Sequence, residues 1–346
     1  MGSKSDEVDP ADTKLMSEID ELVGDERFVD AVDRLAAVPP ESWAPDLDVR
    51  LLELRHAATR NYAAGSGRAT WPPPDRDPFP AVVDRLPEIE AVDLDASTLG
   101  GAVIHHGCLV VRGLFTCEQV ARTVESIDRA TAQRDGCAPA GGEVDDRVWF
   151  RPFPLDEAKA GVRRRVNGNG GTWLADSPAA TGQVLGDLRS AGVIDLITEH
   201  LGERPFFSLQ KSTLRRSPPT FSITGWHQDG SFLGPDVRTM NVWIALTRCG
   251  GDHPAPGMEV VPKRVDELLP TDGTGPVSIP WERVQAAAAA TPVVHPEFGP
   301  GDAMFFDERF LHRTYLTPHM TEDRYALETW FFAPSRFSSG YVPFLV

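Results

Sequence analysis

An imidazole and a carboxylate two residues apart, His227 and Asp229, stand at the centre of residues 221–234, FSITGWHQDGSFLG. In an extended strand, side chains two apart point to one face, so this pair offers two ligand atoms to a single point. A further histidine would complete two imidazoles and one carboxylate on one face of a metal. That set leaves neighbouring positions open and is the mark of non-haem Fe(II) oxygenases. His312 follows a short apolar run at residues 303–306 and is the expected second imidazole. His319, in a polar turn after Pro318, is its rival. Thr314 shares the face of His312 if the chain is extended there, and Arg324 opens the last strong strand.

The elements that must position these groups are mostly short strands. Strand-like segments are expected at residues 206–214, 221–227, 240–247, 258–262, 293–295, 303–306 and 324–333, with a helical insertion at 281–290. Residues 108–115, CLVVRGLF, read as a strand closed by Gly113. A helix follows over 116–131 with Thr116 as its N-cap. Residues 191–201 read as a helix ended by Gly202, and residues 135–178, rich in Gly, Pro and Arg, as long loops of the kind that form lids. Many short strands after a helical start predict an antiparallel sandwich or barrel with helices packed outside.

Upstream, residues 1–13 are expected to be a disordered tail and residues 14–70 a helical extension. Leu15, Ile19, Leu22 and Val23 share one helical face, and Phe28, Val32 and Leu35 continue it. Gly24 separates two short helices, Pro39-Pro40 ends the block, and residues 47–58 form another helix. Residues 71–95 begin with WPPPDRDPFP, a stiff connector. Residues 96–346 are the expected catalytic domain.

Composition narrows the function classes. The net charge is −17, and the first 100 residues carry a balance of −12, which suggests a separate, well-solvated unit. An acidic chain without a basic stripe is a poor nucleic-acid binder. No apolar run is long enough for a membrane span. Cys108, Cys117, Cys137 and Cys249 show no CxxC pairing, and the first residues lack a signal-peptide core. A cytoplasmic protein with reduced thiols is expected.

W-H-Q-D at 226–229, G-D-x-x-x-F-x-x-x-x-x-H at 301–312 and the downstream Arg324 resemble the phytanoyl-CoA dioxygenase (PhyH-like) family across residues 99–334. The resemblance implies a double-stranded β-helix (jelly-roll, cupin-like) core and an Fe(II)- and 2-oxoglutarate-dependent oxygenase. It implies His227, Asp229 and His312 as iron ligands. Arg324 would bind the far carboxylate of 2-oxoglutarate, sharing it with Thr314, and Trp243 in NVWIALT would wall the cosubstrate. A guanidinium suits that role because its planar fork matches a carboxylate. The implied reaction consumes O2, releases succinate and CO2, and hydroxylates a small-molecule lipid, amino-acid or natural-product substrate. Desaturation, epimerisation and cyclisation use the same cofactors, and a non-catalytic β-helix binding protein is the alternative from another class. Arg163, Arg164 and Arg165 are either a solvated loop or lid cations for an anionic or carrier-linked substrate. Arg215 and Arg216 invite the same two readings. Glu328 is either an arginine's partner or a contact for a substrate amine. The N-terminal helices are expected to pack on the core or mediate self-association.

Overall fold

A computed structural model describes residues 10–38, 45–137, 146–208, 211–220, 225–273, 278–338 and 340–346. Its centre is a pair of facing sheets. The strands are β1 (Glu88–Glu90), β2 (Cys108–Arg112), β3 (Gly171–Trp173), β4 (Phe206–Ser208), β5 (Thr213–Ser217), β6 (Thr239–Ala245), β7 (Gly257–Val260), β8 (Ala303–Phe306), β9 (His312–Tyr315), β10 (Arg324–Phe332) and β11 (Pro343–Leu345). The large sheet runs β1-β2-β8-β6-β10-β4-β11, with β5 also on β10 and β3 on β5. The small sheet pairs β7 with β9 and is widened by single bridges from His227 to His312 and from Val260 to Val294.

Period-two alternation divides the large sheet's side chains between two environments. Trp243, Ala245, Met304, Phe306 and Ala326 point inward and meet Met258 and Val260 of the small sheet. Val242, Ile244, Phe305, Leu327 and Phe331, in alternating positions, pack outward against helices. Those helices are α4 (Ala96–His106), α5 (Cys117–Arg134), α7 (Pro178–Ser190) and α8 (Val193–Leu201), numbered after the N-terminal α1 (Pro10–Gly24), α2 (Phe28–Ala36) and α3 (Pro45–Ala58). The remaining helices are α6 (Glu157–Gly168), α9 (Gly230–Leu233) and α10 (Trp281–Ala288). This is the jelly-roll core with flanking helices that the sequence implied.

Local chemistry explains the boundaries. Thr116 caps α5 in a full capping box with Gln119. Gly202 ends α8 in the left-handed region, φ 75°. Gly301 holds φ 91°, and a Cβ there would lie 2.3 Å from the Phe115 carbonyl oxygen. The next residue, Asp302, accepts from Arg112 Nη1 at 2.7 Å, from the Gly113 amide at 3.0 Å and from the Gly299 amide at 2.9 Å. The Gly-Asp pair thus ties β2 to the start of β8.

Several expected elements differ. Residues 135–178 are not loop throughout: α6 and β3 lie within them, with Asp156 accepting from the Lys159 amide as the N-cap of α6. Residues 138–145 lie outside the described residues. The expected strand at 206–214 is two strands, β4 and β5, and α4 and α7 were not foreseen. The first helix starts at Pro10, inside the expected tail. The second half of the connector joins the sheet, because β1 pairs in parallel with β2.

The N-terminal helices share a core with the β domain. Ile19, Val32, Leu35, Leu51 and Leu54 cluster with Phe206 of β4 and Leu345 of β11. Buried Arg55 donates to the Leu345 carbonyl at 2.7 Å, and Arg204 pairs with Asp33 at 2.7 Å. Among the described residues, no helix is long and apolar enough to cross a membrane, and all four cysteines are free.

Candidate metal centre

His227 and His312 are direct cross-strand partners. Each donates its amide to the other's carbonyl, at 3.0 and 3.1 Å. Partners directly opposite in an antiparallel pair point to the same face. Their rings accordingly lie side by side, with centroids 4.3 Å apart.

Asp229 reaches the same point by a different route from the expected strand alternation. The expected strand at 221–227 falls largely on residues 221–224, outside the described ones. After the His227 bridge the chain leaves the extended conformation. Asp229 has φ −64° and ψ −27° and starts α9. The Gly230 amide pins this turn to the Glu308 carbonyl at 2.8 Å. A Cβ on Gly230 would lie 2.6 Å from Leu268 Cδ2. Between the two ligands, fully buried Gln228 faces away and fastens the surrounding loops. Its amide nitrogen donates to the carbonyls of Val265, Glu267 and Arg309, and its oxygen accepts from the Leu269 amide.

One ligand atom each from His227, Asp229 and His312 falls within 4.8 Å of the others. His227 Nε2 lies 3.7 Å from Asp229 Oδ1, and His312 Nε2 lies 4.0 Å from Asp229 Oδ2. The Nδ1 of His227 faces the Gly225 carbonyl at 2.8 Å, and the Nδ1 of His312 faces the Phe310 carbonyl at 3.0 Å. A neutral imidazole donating there keeps its Nε2 lone pair for a metal, the usual outer support of a histidine ligand. Burial holds His227 well below the ordinary imidazole range, helped by the neighbouring His312, and lowers His312 to about 4. Both are therefore neutral at pH 7. Burial raises the Asp229 carboxyl to about 7, opposed by Lys211 and reinforced by Glu328, Glu308 and Asp307. Its buried Oδ2 has no hydrogen-bond partner. A buried carboxylate oxygen left open beside two imidazole lone pairs fits a divalent cation. His319 is exposed and outside this cluster.

Arg324, 4% exposed, begins β10 on the inner face. It donates to the Gly257 carbonyl at 3.1 Å and lies 5.7 Å from the Trp243 ring centroid. Its buried Nε has no partner, and burial lowers its pKa. A guanidinium so placed fits an incoming carboxylate. Thr314 sits on β9, opposite Met258 and hence beside Gly257.

The other sequence candidates are placed differently. Glu328 is bound by Arg215 through two hydrogen bonds, at 2.8 and 3.0 Å, so of its two readings the arginine partnership is the one formed. Arg216 pairs with Asp323 at 3.0 Å. Arg163 turns inward to buried Asp176 at 2.8 Å, while Arg164 and Arg165 are exposed on α6. Lys211 was not singled out by the sequence. Its ammonium lies 3.4 Å from the centroid of Phe232, on α9. Burial lowers it to about 8, against the pull of Asp229 and Glu328. A lone lysine between two strands carries no motif, so only the fold reveals it.

The sequence matches the family described as "Phytanoyl-CoA dioxygenase (PhyH)" over residues 104–319. No curated protein matches it. Among solved structures, EctD from S. alaskensis with 2-oxoglutarate and 5-hydroxyectoine is 18% identical, covers 80% of this chain and 88% of its own, and gives a TM-score of 0.51. AviO1 from Streptomyces viridochromogenes Tue57 is 18% identical over 70% of this chain and 97% of its own, with a TM-score of 0.46. The carbocyclase SnoK from nogalamycin biosynthesis is 16% identical over 71% of this chain and 86% of its own, also at 0.46. The EctD likeness bears on the fold, and the family match spans most of the jelly roll, including His227, Asp229 and His312. The chain belongs to the phytanoyl-CoA dioxygenase (PhyH) family of iron- and 2-oxoglutarate-dependent oxygenases.

Proposed function

We propose that this protein hydroxylates an unactivated C–H bond of a small-molecule substrate, with His227, Asp229 and His312 holding Fe(II). The observation that carries this reading is the cluster itself: two imidazoles fixed by carbonyls at Nδ1 and a buried carboxylate oxygen without a partner. Arg324 would receive the far carboxylate of 2-oxoglutarate, with Thr314 beside it and Trp243 as the wall. When bound, iron with 2-oxoglutarate supplies the oxidising power, O2 giving one oxygen to succinate and one to the substrate as CO2 leaves.

The chain's own residues orient and shield. The cross-strand pair fixes the imidazoles before any metal arrives, so little rearrangement is needed. Phe306 stands 4.9 Å from the His312 ring and Phe310 5.8 Å, and these rings keep water from that side of the centre. Asp229 would supply the third ligand, completing the three-residue set that oxygenation needs.

Succinate release from 2-oxoglutarate in air, with Fe(II) and a panel of small molecules, tests the reading. Turnover stimulated by a substrate and abolished in His312→Ala is expected. Iron and 2-oxoglutarate bound without succinate under every condition would favour a binding protein instead.

A further inference from the structure

Lys211 carries a charge that Asp229 and Glu328 feel only at longer range and that no direct partner answers. Among the described residues no carboxylate lies within ion-pair distance of its ammonium, and no hydrogen bond holds it. The ammonium is set over Phe232 at 3.4 Å and lies 5.8 Å from the Trp330 ring. Phe232 is three residues beyond Asp229, and its ring is 6.4 Å from that of His227. The cation therefore flanks the ligand cluster, separated from it by one aromatic ring. An aromatic face attracts an ammonium but does not replace the hydrogen bonds it gives up on leaving water.

The position excludes the cosubstrate role assigned to Arg324. Arg324 and Trp330 share the inner face of β10, six residues apart, which is roughly 20 Å along a strand. Phe306 lies between, 4.9 Å from the His312 ring and 6.4 Å from that of Trp330. Arg324 and Lys211 thus serve opposite ends of the site.

Charge balance points the same way. On the proposed function, the charges of Fe(II), Asp229, doubly anionic 2-oxoglutarate and Arg324 cancel. Arg215 and Glu328 cancel each other. Asp307 is matched by Arg264 at 2.5 Å. Glu308 is matched by Arg309 at 3.5 Å. Lys211, half-buried, is left over, and a cation largely withdrawn from water favours a partner that neutralises it. One free cation matches a monoanion. A phosphate dianion would call for a second, and Arg215 is already engaged.

We infer that Lys211 binds the carboxylate of a monoanionic substrate, seating its adjoining hydrocarbon against Phe232 and Trp330. This rests on the proposed iron and 2-oxoglutarate site and assigns it a substrate class.

Calorimetric titration of the anaerobic protein, loaded with Fe(II) and 2-oxoglutarate, tests it with two probes of one shape, 4-phenylbutanoate and its neutral carboxamide. The visible charge-transfer band of the loaded protein is recorded first. With the band present, the carboxylate is expected to bind at least about tenfold more tightly than the carboxamide. Lys211→Met and Lys211→Gln should erase that preference while keeping the band, and Lys211→Arg should retain it. Equal binding of the two probes, or binding of neither, with the band intact would overturn the inference alone. So would a preference that survives in both Lys211→Met and Lys211→Gln. Absence of the band in the unmodified protein would overturn the reading beneath it.

Discussion

Arg324 is buried with carbonyls as its hydrogen-bond partners and an unpartnered Nε, an arrangement that leaves its fork for a carboxylate. Replacing it with lysine keeps the charge but loses the paired donors. Arg324→Lys is expected to weaken 2-oxoglutarate binding about tenfold or more, with Fe(II) affinity unchanged, as read by anaerobic titration of each. At this scale the sequence was legible where residue type alone sets the chemistry. His227, Asp229 and His312, singled out by type, do cluster, but the expected reason for their convergence was wrong for Asp229, which starts a helix. Glu328 remained ambiguous because its partner Arg215 lies on another strand, two positions off direct register. Lys211 was invisible because Phe232 and Trp330, which define its surroundings, come from distant segments.

The helix α8 carries a titrating group whose burial has consequences for stability. His200 is 2% exposed, its Nδ1 has no partner, and burial, with Arg68 nearby, lowers it from 6.5 to about 4. The unfolded chain therefore takes up this proton first. Its contribution is constant above about pH 6.5 and turns against folding as pH falls toward 4. Denaturant unfolding should lose about 2 kcal/mol through this residue between about pH 7.5 and about pH 5. The loss attributable to it should vanish in His200→Asn, and an identical pH slope in the two proteins would refute the assignment. Elements with strong end signals, such as α5 with its Thr116 cap, could be read from sequence. The helix α6 could not, because its glycines and arginines mimic loop composition and its inward anchor, Arg163 to Asp176, is a tertiary contact.

At the scale of the whole chain, a sandwich or barrel was legible through many short strands and the jelly roll through the family resemblance, whereas the N-terminal helices were left open between packing on the core and self-association. Their acidity suggested a separate unit, yet Ile19, Leu35 and Leu51 share a core with Phe206 and Leu345. Charge reports the solvent-facing side of a helix and says nothing of its buried face. We propose that the extension and the β domain unfold together. Deleting the residues before Arg68 would uncover Phe206 and Leu345 and remove the Arg55 bond to the last strand. One cooperative thermal transition is expected for the full chain, and a truncated chain that is aggregated or melts many degrees lower. Two separate transitions, the later one unchanged on truncation, would contradict this.

We propose that His227, Asp229 and His312 together hold Fe(II) in a form that accepts 2-oxoglutarate. Anaerobic visible spectroscopy of the apoprotein during titration with both is the decisive test. A weak charge-transfer band in the mid-visible should grow to saturation, disappear in His227→Ala and weaken in Arg324→Ala. No band at saturating iron and 2-oxoglutarate, or a band unchanged in His227→Ala, would contradict the account.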